Sequence, residues 1–260
     1  MPTRLPLTGV SALQHALPTL ILQLTFALLT LAFGVMSLRV SPRPGGGMRA
    51  DAWFLTGITF ATIGMAAAVM GVAAFPAVPA APGTPLRDTF VRLSPIANDA
   101  RSFAVLGYTA LLGQRLLGRQ ATLRRGRALA WLAAWLAIGA VVGALEGTWL
   151  SSVQFTVMAV LGTVTAMALF AVLYVALLRD ALDWMLWSAL ALYAAREALC
   201  ANQQLQLALE GMPGLRPQSP RPMLAAGVVS VLIMLACTVH RLSLARAGRE
   251  APGLRERLRA

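Results

Sequence analysis

The chain has 260 residues, of which 58% are apolar and only 12% charged, with 22 basic residues against 10 acidic ones. Soluble domains carry about 25% charged residues and cannot hide so much apolar surface, so the composition excludes a soluble protein and indicates an all-α, polytopic membrane helix bundle. Every basic residue is arginine, which removes any chemistry that needs a lysine amine, including a retinal Schiff base, pyridoxal phosphate attachment and a phosphate-loop lysine.

A hydrocarbon core of ~30 Å is crossed by about 20 apolar residues in helical form. Seven stretches meet that length: 18–38, 52–75, 96–117, 128–146, 150–178, 182–206 and 223–240. The first follows Leu17-Pro18, and proline suits a first helical position. The third begins among Asn98, Asp99 and Arg101 and is the most polar at its start. No span so delimited contains an internal proline, which weighs against the broken helices of many secondary transporters. The connections are punctuated by proline and glycine: Ser41-Pro42-Arg43-Pro44-Gly45-Gly46-Gly47 after span one, FPAVPAAPGTPLRD after span two and GMPGLRPQSPRP after span six. Such stretches favour extended chain over helix. The chain thus divides into an extracytoplasmic segment 1–17, a seven-helix domain 18–240 and a basic tail 241–260, with no output domain.

The arginines fix an orientation. The connections after spans one, three and five, with the tail, hold 15 of them, and the other side holds 7. The positive-inside rule puts the richer side in the cytoplasm, leaving the N-terminus outside and the C-terminus inside. Arginines beside membrane spans meet anionic headgroups, so the net charge of +12 is no sign of nucleic acid. A lysine-free chain rich in arginine and alanine suggests a GC-rich bacterial genome, hence a multi-pass protein of the cell (inner) membrane.

Helices associate in lipid through small residues that let backbones approach. Gly139, Gly143 and Gly147 recur every four residues on span four, as do Gly57/Ala61 and Gly64/Ala68 on span two. The expectation is close contact inside the bundle, with a homodimer seam along Gly139, Gly143 and Gly147 as the alternative. Trp131, Trp135, Trp149, Trp184 and Trp187 lie near span ends and read as interfacial anchors. Cys200 and Cys237 form no CxxC pair and read as small packing residues.

One constellation invites a function. Counting inward at 1.5 Å per residue, Asp99 and Arg101 lie roughly 21–24 Å from the cytoplasmic surface, and Arg196 and Glu197 about 18–20 Å. Glu146, Gln154 and Gln203 extend this layer. Charges at such depth persist only when paired or hydrated. Asp99 with Arg196 and Arg101 with Glu197 is one arrangement that balances charge. The spacing predicts a polar pocket rimmed by spans three to six and open to the outside, in which Asn98, Asp99, Arg101, Glu146, Arg196, Glu197 and Gln203 bind a small polar or anionic ligand or a lipid headgroup. A salt-bridge network that merely locks the helices is the competing reading.

Other chemistries find no carrier. His15 and His240 fall at opposite ends, so a shared haem or histidine-based metal site lacks members. There is no HExxH, GxSxG, Walker or GxGxxG motif, and the sequence assigns no catalytic residue, metal or cofactor. Asp180 and Asp183, in a tight turn, read as N-capping groups for span six. The layout is shared at the level of topology with microbial rhodopsins, G-protein-coupled receptors, bacterial sensor modules and small sugar exporters, but the marks of each are missing and no family is assigned. The expectation is a stand-alone receptor or sensor-like protein signalling to a separate cytoplasmic partner; a small permease or exporter, or an assembly factor without a ligand, are the alternatives.

Overall fold

A computed structural model describes residues 9–40, 47–74, 84–118, 124–146, 151–209 and 221–247. These form seven helices: α1 (Gly9–Val40), α2 (Gly47–Ala74), α3 (Pro85–Leu116), α4 (Arg125–Glu146), α5 (Ser151–Leu178), α6 (Trp184–Ala208) and α7 (Arg221–Arg246). Five of them, α1, α2, α4, α5 and α7, are long and apolar enough to cross a membrane. The other two, α3 and α6, carry buried charges, Asp99, Arg196 and Glu197 among them, and such residues lower their hydropathy.

The helices outrun the apolar stretches that announce them. α1 starts at Gly9 and α3 at Pro85, so Pro18 and Pro95 are internal to their helices, against the expectation of proline-free spans. Segment 85–88, expected as extended chain, is helical, with Pro85 in the first turn where its missing N–H costs nothing. At the other end of the chain α7 continues through Arg246, so the first residues of the tail are helix. An apolar run marks the part of a helix that meets hydrocarbon; hydrogen bonding carries the helix on into the interface.

Consecutive helices pair as antiparallel hairpins. A Cβ on Gly34 of α1 would collide with the backbone of Ala61, one on Gly64 of α2 with the backbone of Leu31, and one on Gly57 would stand 2.7 Å from Leu38. These contacts climb α1 as they descend α2. The small residues of span two therefore serve the α1–α2 contact, met by Gly34, whose single occurrence gave no repeat to read. α3 and α4 form the second hairpin: Gly139 abuts Asp99 and Ala100, and Gly143 abuts Pro95 and Ile96, at 2.5–2.8 Å from a hypothetical Cβ. Gly139 and Gly143 are thus taken up within the molecule by α3 and are not open as a seam between copies. Gly147, like Trp149, lies outside the described residues.

α5 and α6 form the third hairpin, and α7 lies between α6 and α1. α3 touches α2, α4 and α5, so α1, α2, α3, α5, α6 and α7 close a ring, with α4 outside it on α3. The core inside the ring is aromatic at mid-height. Phe33 meets Phe60 edge-on with ring centres 5.0 Å apart, and Phe60 meets Tyr193 likewise at 4.7 Å. Thr56 and Tyr108, both buried, share a hydrogen bond of 2.9 Å between α2 and α3. This layer separates two groups of charged side chains, one toward each end of the bundle.

Candidate functional site

The first group centres on Glu197, whose side chain is 1% exposed. α6 presents it inward about 21 Å from Asp183, fourteen residues earlier at 1.5 Å each. Arg101 of α3 donates to its Oε2 at 3.2 Å, and Arg196 donates to its Oε1 at 2.6 Å. One carboxylate therefore takes two guanidiniums, one on each oxygen. Asn98, a turn before Arg101, accepts a 3.2 Å bond from the same Arg101 nitrogen and offers its amide to Asp99 at 3.4 Å. Asp99 is fully buried. Two cations and two carboxylates make the cluster neutral as a whole, which is how such groups persist in a medium where an unpaired charge costs about 2.5–3.5 kcal/mol at a span centre.

Arg196 is enclosed on its other sides. Its guanidinium lies 4.3 Å from the ring centre of Phe26 on α1, within cation–π range. A Cβ on Gly227 of α7 would stand 3.3 Å from its Nε, so this small residue lets α7 close over the arginine. Two buried guanidinium nitrogens, Nε of Arg101 and Nε of Arg196, remain without a hydrogen-bond acceptor, and the hydroxyl of Tyr193 lies against Glu197. Both arginines surround the same carboxylate. Arg101, at 16% side-chain exposure, is the most accessible charged member of the group.

The expected site residues divide. Asn98, Asp99, Arg101, Arg196 and Glu197 do come together, and the Arg101–Glu197 pairing is the one expected. Arg196, however, turns to its own neighbour Glu197 instead of Asp99, because the long guanidinium arm folds back along α6. The rim also differs: the cluster is walled by α1 and α7, through Phe26 and Gly227, while α4 lies behind α3 and meets only the backbone of Asp99, through Gly139. Gln203 is half-buried farther along α6 and shares no hydrogen bond or ion pair with the group. The side chains of Glu146 and Gln154 lie outside the described residues.

A second group, near the opposite ends of the same helices, was only partly legible. Asp183 caps α6, its Oδ1 accepting the N–H of Leu186 at 2.9 Å, as its place in the turn suggests. Its other oxygen accepts the indole N–H of Trp53 at 2.6 Å and lies 3.4 Å from Nε of Arg241. This one carboxylate joins α2, α6 and α7. Asp51 pairs with Arg115 at 2.8 Å, tying α2 to α3, and Arg49 lies 3.8 Å from Asp180. Trp53 is 1% exposed and no interfacial anchor. It is the second residue of span two, where interfacial tryptophans also sit, and that position hid its buried role. Trp131 and Trp187 in turn bond backbone carbonyls of Gly107 and Leu173, fixing helix pairs.

A cavity of about 490 Å³ opens elsewhere, between α5 and α6, against Thr156, Thr163, Met167, Phe170, Asn202 and Leu205. None of the five clustered residues lines it, and the helix phase turns this face of α6 away from Arg196. Compared with protein-family models, curated proteins and solved structures, the chain matches none.

Proposed function

We propose that this integral membrane helix bundle acts as a receptor or sensor-like protein that takes a small polar or anionic ligand, or a lipid headgroup, at Asn98, Asp99, Arg101, Arg196 and Glu197. The carrying observation is the surplus of donors: two buried guanidinium nitrogens beside one carboxylate, Nε of Arg101 and Nε of Arg196, lack acceptors. A buried donor left unmade costs about 1–3 kcal/mol, so the two favour an acceptor that arrives from outside. Arg101 and Asn98, the less buried members, form the approach. On this reading the message passes to a separate partner at the arginine-rich end, which the charge asymmetry assigns to the cytoplasm.

A second reading has its own support. Glu197 satisfies both oxygens with arginines from within the bundle, as a purely structural clamp would. Thermal unfolding of the purified protein with acetate, inorganic phosphate, glycerol and phosphatidylglycerol added separately distinguishes the two. On the receptor reading at least one of these raises the midpoint of the wild type and loses its effect in Arg196→Gln and Arg101→Gln. If none shifts the wild type while both variants simply unfold earlier, the clamp stands and the receptor reading falls. Uptake of an active solute into liposomes would favour a permease instead.

A further inference from the structure

The arginines at the Asp183 end are not all used alike. Arg49, Arg115 and Arg241 face Asp180, Asp51 and Asp183, and Arg179 donates to the backbone carbonyl of Leu116. At the start of α4 the pattern changes. Arg124, Arg125 and Arg127 fall within four residues; Arg124 and Arg127 are exposed, and among the described residues no carboxylate pairs with either. Arg125 is held with its guanidinium 4.1 Å from the ring centre of Phe54 on α2. Arg124 and Arg127 are thus a concentration of positive charge that no carboxylate among the described residues neutralises.

The next turns of α4 suit a lipid. Four residues past Arg127, about 6 Å deeper, comes Trp131, 38% exposed. Its ring is fixed because its indole N–H donates to the carbonyl of Gly107 at 3.1 Å. Trp135 continues the track, its ring centre 6.0 Å from that of Trp131 and 6.0 Å from that of Phe103. Leu129, Ile138 and Val141 on the same helix are also exposed. Because α4 stands outside the ring, its flanks face the bilayer. Guanidiniums at headgroup depth therefore lead directly onto a rigid aromatic and aliphatic track at acyl-chain depth.

We infer that Arg124 and the first three turns of α4 form a binding site for an anionic phospholipid, with the phosphate held by Arg124 and Arg127 and an acyl chain laid along Trp131 and Trp135. The charge complementarity supplies selection for anionic headgroups, and the fixed indole supplies a residence place for the chain. This site is separate from the Glu197 cluster and does not depend on any ligand there.

The test uses the full chain in nanodiscs of phosphatidylcholine doped with phosphatidylglycerol, either lipid carrying brominated acyl chains that quench tryptophan. Brominated phosphatidylglycerol should quench the wild type more strongly than brominated phosphatidylcholine at equal mole fraction. Each arginine beside an anionic headgroup contributes about a fivefold preference, so Arg124→Gln with Arg127→Gln should reduce the enrichment roughly 25-fold. Arg39→Gln with Arg246→Gln removes the same charge from exposed positions at the same end and should leave the enrichment in place. Equal quenching by the two lipids overturns the proposal. So does equal loss in both double variants, which would mean diffuse attraction, and so does displacement by inorganic phosphate alone, which would make the site one for a free anion. All four substituted side chains are exposed, and the single variant Arg127→Gln, expected to lose about fivefold, serves if a double variant folds poorly.

Discussion

Replacing Glu197 by glutamine probes the cluster most directly, because it removes one charge while keeping the side chain's shape. In the wild type the carboxylate balances two guanidiniums at 2.6 and 3.2 Å. In Glu197→Gln one oxygen can still accept from Arg101 or from Arg196, but the new amide presents a donor to the other. One arginine then loses its acceptor at a site where the residue at 197 is 1% exposed. Breaking a buried ion pair from one side costs about 3–5 kcal/mol, chiefly through the charge left behind. Arg101→Gln should cost less, about 1–3 kcal/mol, because Arg101 is partly exposed and Glu197 keeps Arg196. Unfolding of both variants by sodium dodecyl sulfate in mixed micelles, followed by circular dichroism, measures the difference. If Glu197→Gln falls within about 0.5 kcal/mol of the wild type, the three side chains must be hydrated and screened. No surplus of buried donors would then exist to attract a ligand.

Asp183→Ala should destabilise by about 2–4 kcal/mol, combining loss of a helix cap with an orphaned indole donor, and should change the emission of Trp53, checked against Trp53→Phe. Asp183→Asn keeps one oxygen, which can accept from the cap N–H or the indole but not both, and should cost roughly half as much. Gly143→Leu sets a side chain against the backbone of Pro95 and Ile96, where nothing can yield; overpacking of this kind costs about 1–3 kcal/mol. It should separate α4 from α3, read as a longer spin-label distance between the two helices, while Ala144→Leu, on an exposed position, leaves that distance unchanged. Orientation is tested by Ala247→Cys with Cys200 and Cys237 changed to serine: an impermeant maleimide should label it in inside-out vesicles and not in right-side-out ones.

Much of this was legible in the sequence because membrane insertion is close to additive along the chain. Each apolar residue adds to a span wherever its neighbours lie, so seven helices could be placed from 18–38 to 223–240. Depth follows from rise per residue, which is why Asn98, Asp99, Arg101, Arg196 and Glu197 could be put at one level before any helix was packed. The ends were less legible: hydrogen bonding extends α1 to Gly9 and α3 to Pro85, beyond the continuous apolar stretches 18–38 and 96–117, and hydropathy does not record that. Trp53 was illegible for another reason, since an interfacial indole and a buried donor to a carboxylate look the same in one dimension.

By itself, then, the chain determined that it is a helical membrane protein, where the seven helices of the described residues fall and which charged residues share a depth. Those properties depend on transfer free energies and on the fixed rise of the helix, which are local. Only the tertiary structure decided that Arg196 turns to Glu197, that Asp183 gathers Trp53 and Arg241, and that Gly139 and Gly143 serve α3. Which face of a helix meets which neighbour is settled by close packing among all seven together, where a single missing Cβ at Gly34 or Gly227 lets one backbone approach and excludes another.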